Sequence, residues 1–178
     1  MGPRGMHSDG GPAEGIADWF SGRLPDGWFA AALEVVVDRE EVTVVGTLAA
    51  PPAGSEPAEG GTQWEAGRIS RFREQTREER MRIAREAERR FGRKVAWGAQ
   101  AGATREVFAN LAVPVMTRLR QPERRVLDTL VDSGVARSRS EALAWCVRLV
   151  GRHTEDWLAE LRTAMESVER VRRTGPAA

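Results

Sequence analysis

The residues of this chain that could do covalent or metal chemistry are few: one Cys, two His and no Tyr among 178 residues. Cys146 and His153 stand one heptad apart, close enough on a continuous helix to share a face, but Gly151 intervenes. A buried thiol and a surface imidazole fit that spacing better than a nucleophile and its base. Two His and one Cys do not make up a zinc site. No Gly-rich loop follows a strand-like run, so GxGxxG and Walker-type phosphate loops have no candidate. The acidic pairs Glu40-Glu41 and Glu78-Glu79 read as turn and surface residues. The expectation is a protein with no catalytic centre, metal or cofactor, and so not an enzyme.

What the chain does have is arginine, unevenly spread. Lys94 is its one lysine. Residues 1–64 carry three Arg and ten acids, and residues 65–94 carry eleven basic and six acidic groups. Residues 112–152 carry eight Arg and four acids, within a net charge of +1. An acidic front and a basic middle imply that only part of the molecule faces a polyanion. Guanidinium groups suit bidentate contacts to phosphate and guanine. Those between residues 65 and 91 are interleaved with Glu, and Glu78→Arg82 and Glu86→Arg90 have the favourable i,i+4 order. They read as a solvated helix face. The arginines from Arg118 onward are placed to do more.

The stretch from Leu111 to Val150 positions them. From Val113 to Leu119 the residues alternate: Val113, Val115, Thr117 and Leu119 to one side, Pro114, Met116, Arg118 and Arg120 to the other. Pro122 suits the first turn of a following helix, whose apolar stripe is Val126, Leu127, Leu130 and Val131. Gly134 suits its stop. Ser138-Arg139-Ser140-Glu141 has the form of a capping box and opens a second helix carrying Ala142, Leu143, Cys146, Val147 and Val150. A lone strand cannot satisfy its own backbone groups. A second copy of the chain can, in an antiparallel two-stranded ribbon under four helices.

This segment resembles the ribbon-helix-helix family of DNA-binding proteins. Arg118-Leu119 is similar to the end of the family's strand, Leu127-Asp128-x-Leu130 to its first helix, and Gly134 to Ala142 to its inter-helix turn and second-helix start. The resemblance covers roughly 40 residues and does not extend to those before them. It implies a homodimer that binds double-stranded DNA. A ribbon fits the major groove, where Met116, Arg118 and Arg120 would face the bases. Arg137, Ser138, Arg139 and Ser140 at a helix start would clamp phosphate. Val113, Val115, Leu119, Leu127 and Leu130 would form the dimer core. Pro114 cannot donate a ladder hydrogen bond. The function expected is transcription regulation or chromosome association. The alternative is a non-catalytic interaction protein that uses the ribbon only to dimerise, with a protein partner on the N-terminal domain.

Around this module the rest of the chain falls into order. Gly- and Pro-rich residues 1–15 read as a disordered tail without the apolar core of a signal peptide. Residues 16–110 read as an α+β domain of ββαββ form. Ile16–Arg23 is a short helix, and Trp19, Phe20, Trp28 and Phe29 seal a core. Glu34–Val37 and Val42–Leu48 form a hairpin, and residues 49–63 a flexible loop. Glu65–Phe91 is one long helix, and Lys94–Gln100 and Arg105–Leu111 are two more strands, the second able to run on into the ribbon. Residues 111–152 are the ribbon-helix-helix-like module and residues 153–173 a helical extension. No apolar run approaches a membrane span, and one cysteine leaves no internal disulfide. Both favour the cytoplasm, at the nucleoid.

Overall fold

The computed structural model describes residues 13–51 and 61–174. The chain divides into two compact units, Met1–Pro114 and Val115–Ala178.

In the first unit β-branched runs make the sheet. Glu34–Val37 (β1) and Glu41–Thr47 (β2) pair antiparallel. Their turn is held by Asp38, whose Oδ1 accepts from the N–H groups of Glu40 and Glu41 at 2.8 and 2.6 Å. Lys94–Ala101 (β3) and Thr104–Val107 (β4) form a second hairpin, turning at Gly102 with φ +57°. The hairpins join through β2 and β3, which run parallel, with Val42 beside Val95 and Val44 beside Trp97. The order is β1-β2-β3-β4. Parallel neighbours require a crossover, and the helices between β2 and β3 supply it.

Three helices cover one face: α1 (Ala13–Arg23), α2 (Thr62–Gln75) and α3 (Arg77–Phe91). Ile16 and Phe20 of α1 and Ile83 and Ala87 of α3 pack on Val42, Val44 and Trp97. Ile69 of α2 packs on Ala99 and Ala101. The aromatic residues stitch these clusters together: Phe20 meets Trp97 edge-on at 5.7 Å, and Trp28 meets Phe72 at 5.5 Å. The Phe29 ring lies where a Cβ on residue 46 would be, which requires glycine there. On the opposite face Arg105 of β4 reaches Glu34 of β1 in a bidentate pair at 2.5 and 2.8 Å, spanning both central strands.

The unit is α+β, with two hairpins around a helical crossover, but several expected boundaries move. The helix expected to run unbroken from Glu65 to Phe91 is two helices that break at Thr76 (φ −98°, ψ 4°). Thr76 Oγ1 donates back to the Phe72 carbonyl at 2.6 Å, a bond that bends helices. Arg80 then fills the break, donating from Nε to Thr76 Oγ1 at 2.9 Å and from Nη2 to the Arg73 carbonyl at 2.6 Å. Nor is this arginine-rich stretch wholly a solvated face, since Arg80 is only 6% exposed. The tail drawn to residue 15 ends earlier, because Ala13–Gly15 already belong to α1; residues 1–12 lie outside the described residues. Of the loop expected at 49–63, Thr62 and Gln63 belong to α2, and residues 52–60 lie outside the described residues. Strand β4 stops at Val107, and residues 109–120 join no strand among the described residues.

The second unit is helical: α4 (Gln121–Asp132), α5 (Arg139–His153) and α6 (Glu155–Thr174). Helix α5 runs through Gly151 rather than ending at Val150. The extension becomes a separate helix at Thr154, whose N–H and Oγ1 both donate to the Val150 carbonyl. Among the described residues no helix is long and apolar enough to cross a membrane.

Glu65 fixes α2 to the β3–β4 turn. Its carboxylate accepts from Thr104 Oγ1 at 2.6 Å, from Thr104 N at 3.0 Å and from Ala103 N at 3.4 Å. The Thr104 hydroxyl above all, then these amides, hold its pKa below the ordinary 4.5. The charged form is favoured in the folded state, so its stabilisation is complete above that value and is lost as pH falls through the lowered one. Thermal melts from neutral to acid pH should therefore show a steeper loss of stability below pH 4.5 for the native chain than for Glu65→Gln. Parallel profiles would place the acid sensitivity elsewhere.

Candidate nucleic-acid interface

The second unit is built by local signals. Pro122 stands in the first turn of α4, where its missing N–H leaves no bond unmade. Helix α4 stops at Gly134 (φ +78°), and the N–H groups of Gly134 and Val135 return to the carbonyls of Val131 and Leu130, both at 3.0 Å. Ser138 caps α5, its Oγ accepting from Glu141 N at 3.2 Å. The Glu141 carboxylate accepts in turn from Arg137 N at 2.8 Å. The capping box forms with its return bond shifted to the amide before the cap. Leu127, Ala136 and Ala142 are buried, with Leu119, Leu130, Val131, Leu143 and Cys146 packed around them.

The residues expected to clamp phosphate fall into two groups. Arg137 is free in practice: its side chain is 94% exposed and only approaches Glu141, at 3.5 Å. Ser138 is the cap, and Ser140 is exposed beside it. Arg139 is engaged, donating from Nε and Nη2 to the two oxygens of Asp128 at 2.6 and 2.9 Å. That pairing lowers the pKa of Asp128 and raises that of Arg139, and it ties the start of α5 to α4. In this single chain Arg139 is thus an inter-helix tie rather than an open anion ligand.

The segment expected to form the ribbon strand pairs with nothing among the described residues. Met116 is 97% exposed, and Arg118 and Arg120 are exposed with it. Val113 and Val115, expected inward in a dimer core, are exposed too, because in this single chain nothing among the described residues packs over them. Leu119 and Leu130 do join Leu127 in one cluster. Sequence reasoning missed two residues here. Arg124 donates to the Leu119 carbonyl at 2.7 Å and so anchors the incoming chain to α4. Asp128 holds Arg139 across the turn, a pairing that no helical spacing signals.

Much apolar surface stays uncovered. Val126 is 55% exposed and Val147 65%. Helix α6 presents Trp157, Leu161, Met165, Val168 and Val171 at helical spacing, all exposed. Among the described residues no cluster of His, Cys, Asp and Glu could hold a metal ion.

Comparison with known proteins divides the chain in the same way. The family described as Rv1265-like protein, N-terminal domain, matches residues 14–107, and that described as Mb1296 C-terminal domain matches residues 120–172. The protein Mb1296 of Mycobacterium bovis is 60% identical over 164 residues, covering 92% of this chain and 71% of that protein. Rv1265 of Mycobacterium tuberculosis matches to the same extent. The chain belongs to the Rv1265-like family. Both relatives are described as uncharacterised, so the family brings no activity with it. No solved structure matches the chain significantly. The ribbon segment falls between the two family domains, and the helix pair with its cap falls inside the second.

Among the described residues Leu127 is the one large side chain buried in the second unit, at 6% exposure. Leu127→Ala should destabilise that unit by about 2–5 kcal/mol. Urea unfolding followed by the far-ultraviolet helical signal checks it; an unchanged midpoint would mean that the cluster does not hold the helix pair.

Proposed function

We propose that the protein is a homodimeric DNA-binding protein, a transcription regulator or chromosome-associated protein of the nucleoid. Two copies pair their Val113–Leu119 segments as an antiparallel ribbon and lay it in the major groove. The observation that carries this reading is the unpartnered segment itself. It precedes two short helices, shows Arg118 and Arg120 to solvent, and leaves its own Val115 86% exposed. Pairing with a second copy would satisfy its backbone groups and cover its valines. It would also give Val126 and Val147 somewhere to be buried. The resemblance to ribbon-helix-helix proteins supports the same arrangement.

In that complex Arg118 and Arg120 would donate to guanine O6 and N7, and Met116 would meet a thymine methyl. The free N–H groups at the start of α5, with Arg137 and Ser140, would hold a backbone phosphate. Arg139 would buttress that site through Asp128. The α6 stripe favours a second reading, an interaction protein that dimerises without touching DNA.

Binding to a selected site and to random duplex across a salt series separates the two. Arg118→Ala should lose about 1–3 kcal/mol on the selected site and relax selection there. Arg137→Ala should weaken all duplexes alike and reduce the salt slope by about 1. Arg139→Ala should act mainly by loosening the helix pair. Affinity unchanged in both Arg118→Ala and Arg137→Ala would leave the interaction reading. The unfolding midpoint should rise with protein concentration, and a concentration-independent monomer in sedimentation would exclude the ribbon.

A further inference from the structure

The first unit holds a buried cation without a counter-ion. Arg80 is 6% exposed, and no carboxylate pairs with it among the described residues. Its hydrogen bonds go to the Thr76 hydroxyl and the Arg73 carbonyl, both neutral. Buried charges are ordinarily paired, because desolvation of an unpaired ion is expensive. Here the neighbours make matters worse. Burial first, then the charges of Arg73 and Arg77, disfavour the protonated guanidinium.

These groups border a cavity of about 340 Å³ beside the α2–α3 break, walled on the sheet side by Trp97 and Phe108. Arg73, Arg77 and Arg80 line it against a single carboxylate, Glu74. Phe108 lies under two of the guanidinium groups, 4.8 Å from Arg80 and 5.5 Å from Arg73, which holds them in place before any ligand arrives. Arg73 is only lightly engaged otherwise, by an exposed pair with Glu106 at 3.2 Å. Trp97 is 4% exposed, lines the same cavity, and its indole N–H has no acceptor. A buried donor without an acceptor, on a residue lining a cavity that also holds a buried cation without a carboxylate partner, is what a missing acceptor leaves behind.

We propose that this cavity binds a small organic phosphate monoester. With Glu106 paired to Arg73 and Glu74 in the lining, the three guanidinium groups keep an excess of one positive charge, and two of them, Arg77 and Arg80, pair with no carboxylate among the described residues, which suits the several oxygens of a phosphate. Val95 and Met81 give an apolar wall for the organic part. The site lies wholly in the first unit and does not depend on the DNA reading of the second.

The test uses the full chain, with phenyl phosphate and inorganic phosphate as probes and phenol as the uncharged control. The Trp97 indole N–H resonance, assigned by its loss in Trp97→Phe, reports on the cavity. Phenyl phosphate should shift it saturably in the millimolar range or below; phenol should not. Arg77 is exposed, so Arg77→Glu should fold normally, shown by an unchanged melting curve, and should weaken binding by about tenfold or more. Arg80→Met removes the cation but also the cap of the helix break, so its binding is read only if its melt shows a folded chain. No shift at saturating phenyl phosphate, or undiminished affinity in Arg77→Glu, overturns the proposal. Inorganic phosphate binding as tightly as phenyl phosphate overturns the organic ester and assigns the free anion.

Discussion

The first unit depends on how the chain bends at Thr76. A helix unbroken from Thr62 to Phe91 could lay only one straight stripe on a twisted sheet. The break lets α2 place Ile69 over Ala99 and Ala101 while α3 places Ile83 and Ala87 over Val42, Val44 and Trp97. Breaking a helix frees carbonyls, and one of them, that of Arg73, would be left without its helical donor. The Arg80 guanidinium takes that role and the Thr76 hydroxyl with it. A charged side chain is thereby drawn into the interior, so the bend that fits the helices to the sheet also buries Arg80 there.

The sheet is matched to this cover at single positions. Gly46 leaves room for the Phe29 ring, and Gly98 lets the Glu106 carbonyl of β4 approach to within 2.8 Å of where a Cβ would stand. Glu65 bolts the start of α2 to the far hairpin, and Arg105–Glu34 braces the face opposite the three helices. The second unit is of another kind. Among the described residues three are buried in it, while large apolar side chains along α5 and α6 face solvent. So small a core has little to set against the conformational entropy of three helices, which is the physical reason for reading it as half of an assembly.

The local grammar was legible in the sequence. The first hairpin, the stop of α4 at Gly134 and the Ser138 cap follow from residues a few positions apart. Patterns at i,i+2, i,i+3 and i,i+4 are fixed by backbone geometry, and a reader of the sequence shares that geometry. The break at Thr76 was less legible. The apolar stripe from Ile69 to Phe91 stays nearly in phase across it, and one threonine does not announce a bend.

What the tertiary structure alone decided are contacts between residues far apart in the chain. The parallel pairing of β2 with β3 sets Val44 beside Trp97, and no alternation within either strand specifies that partner. Arg139 reads as an open cation until the turn carries it to Asp128, and Arg80 reads as one of many solvated arginines until the crossover folds it onto Phe108. A charge run in sequence records how many cations there are. Which of them meet a carboxylate, an aromatic face or nothing at all depends on the packing of helices on the sheet and on each other.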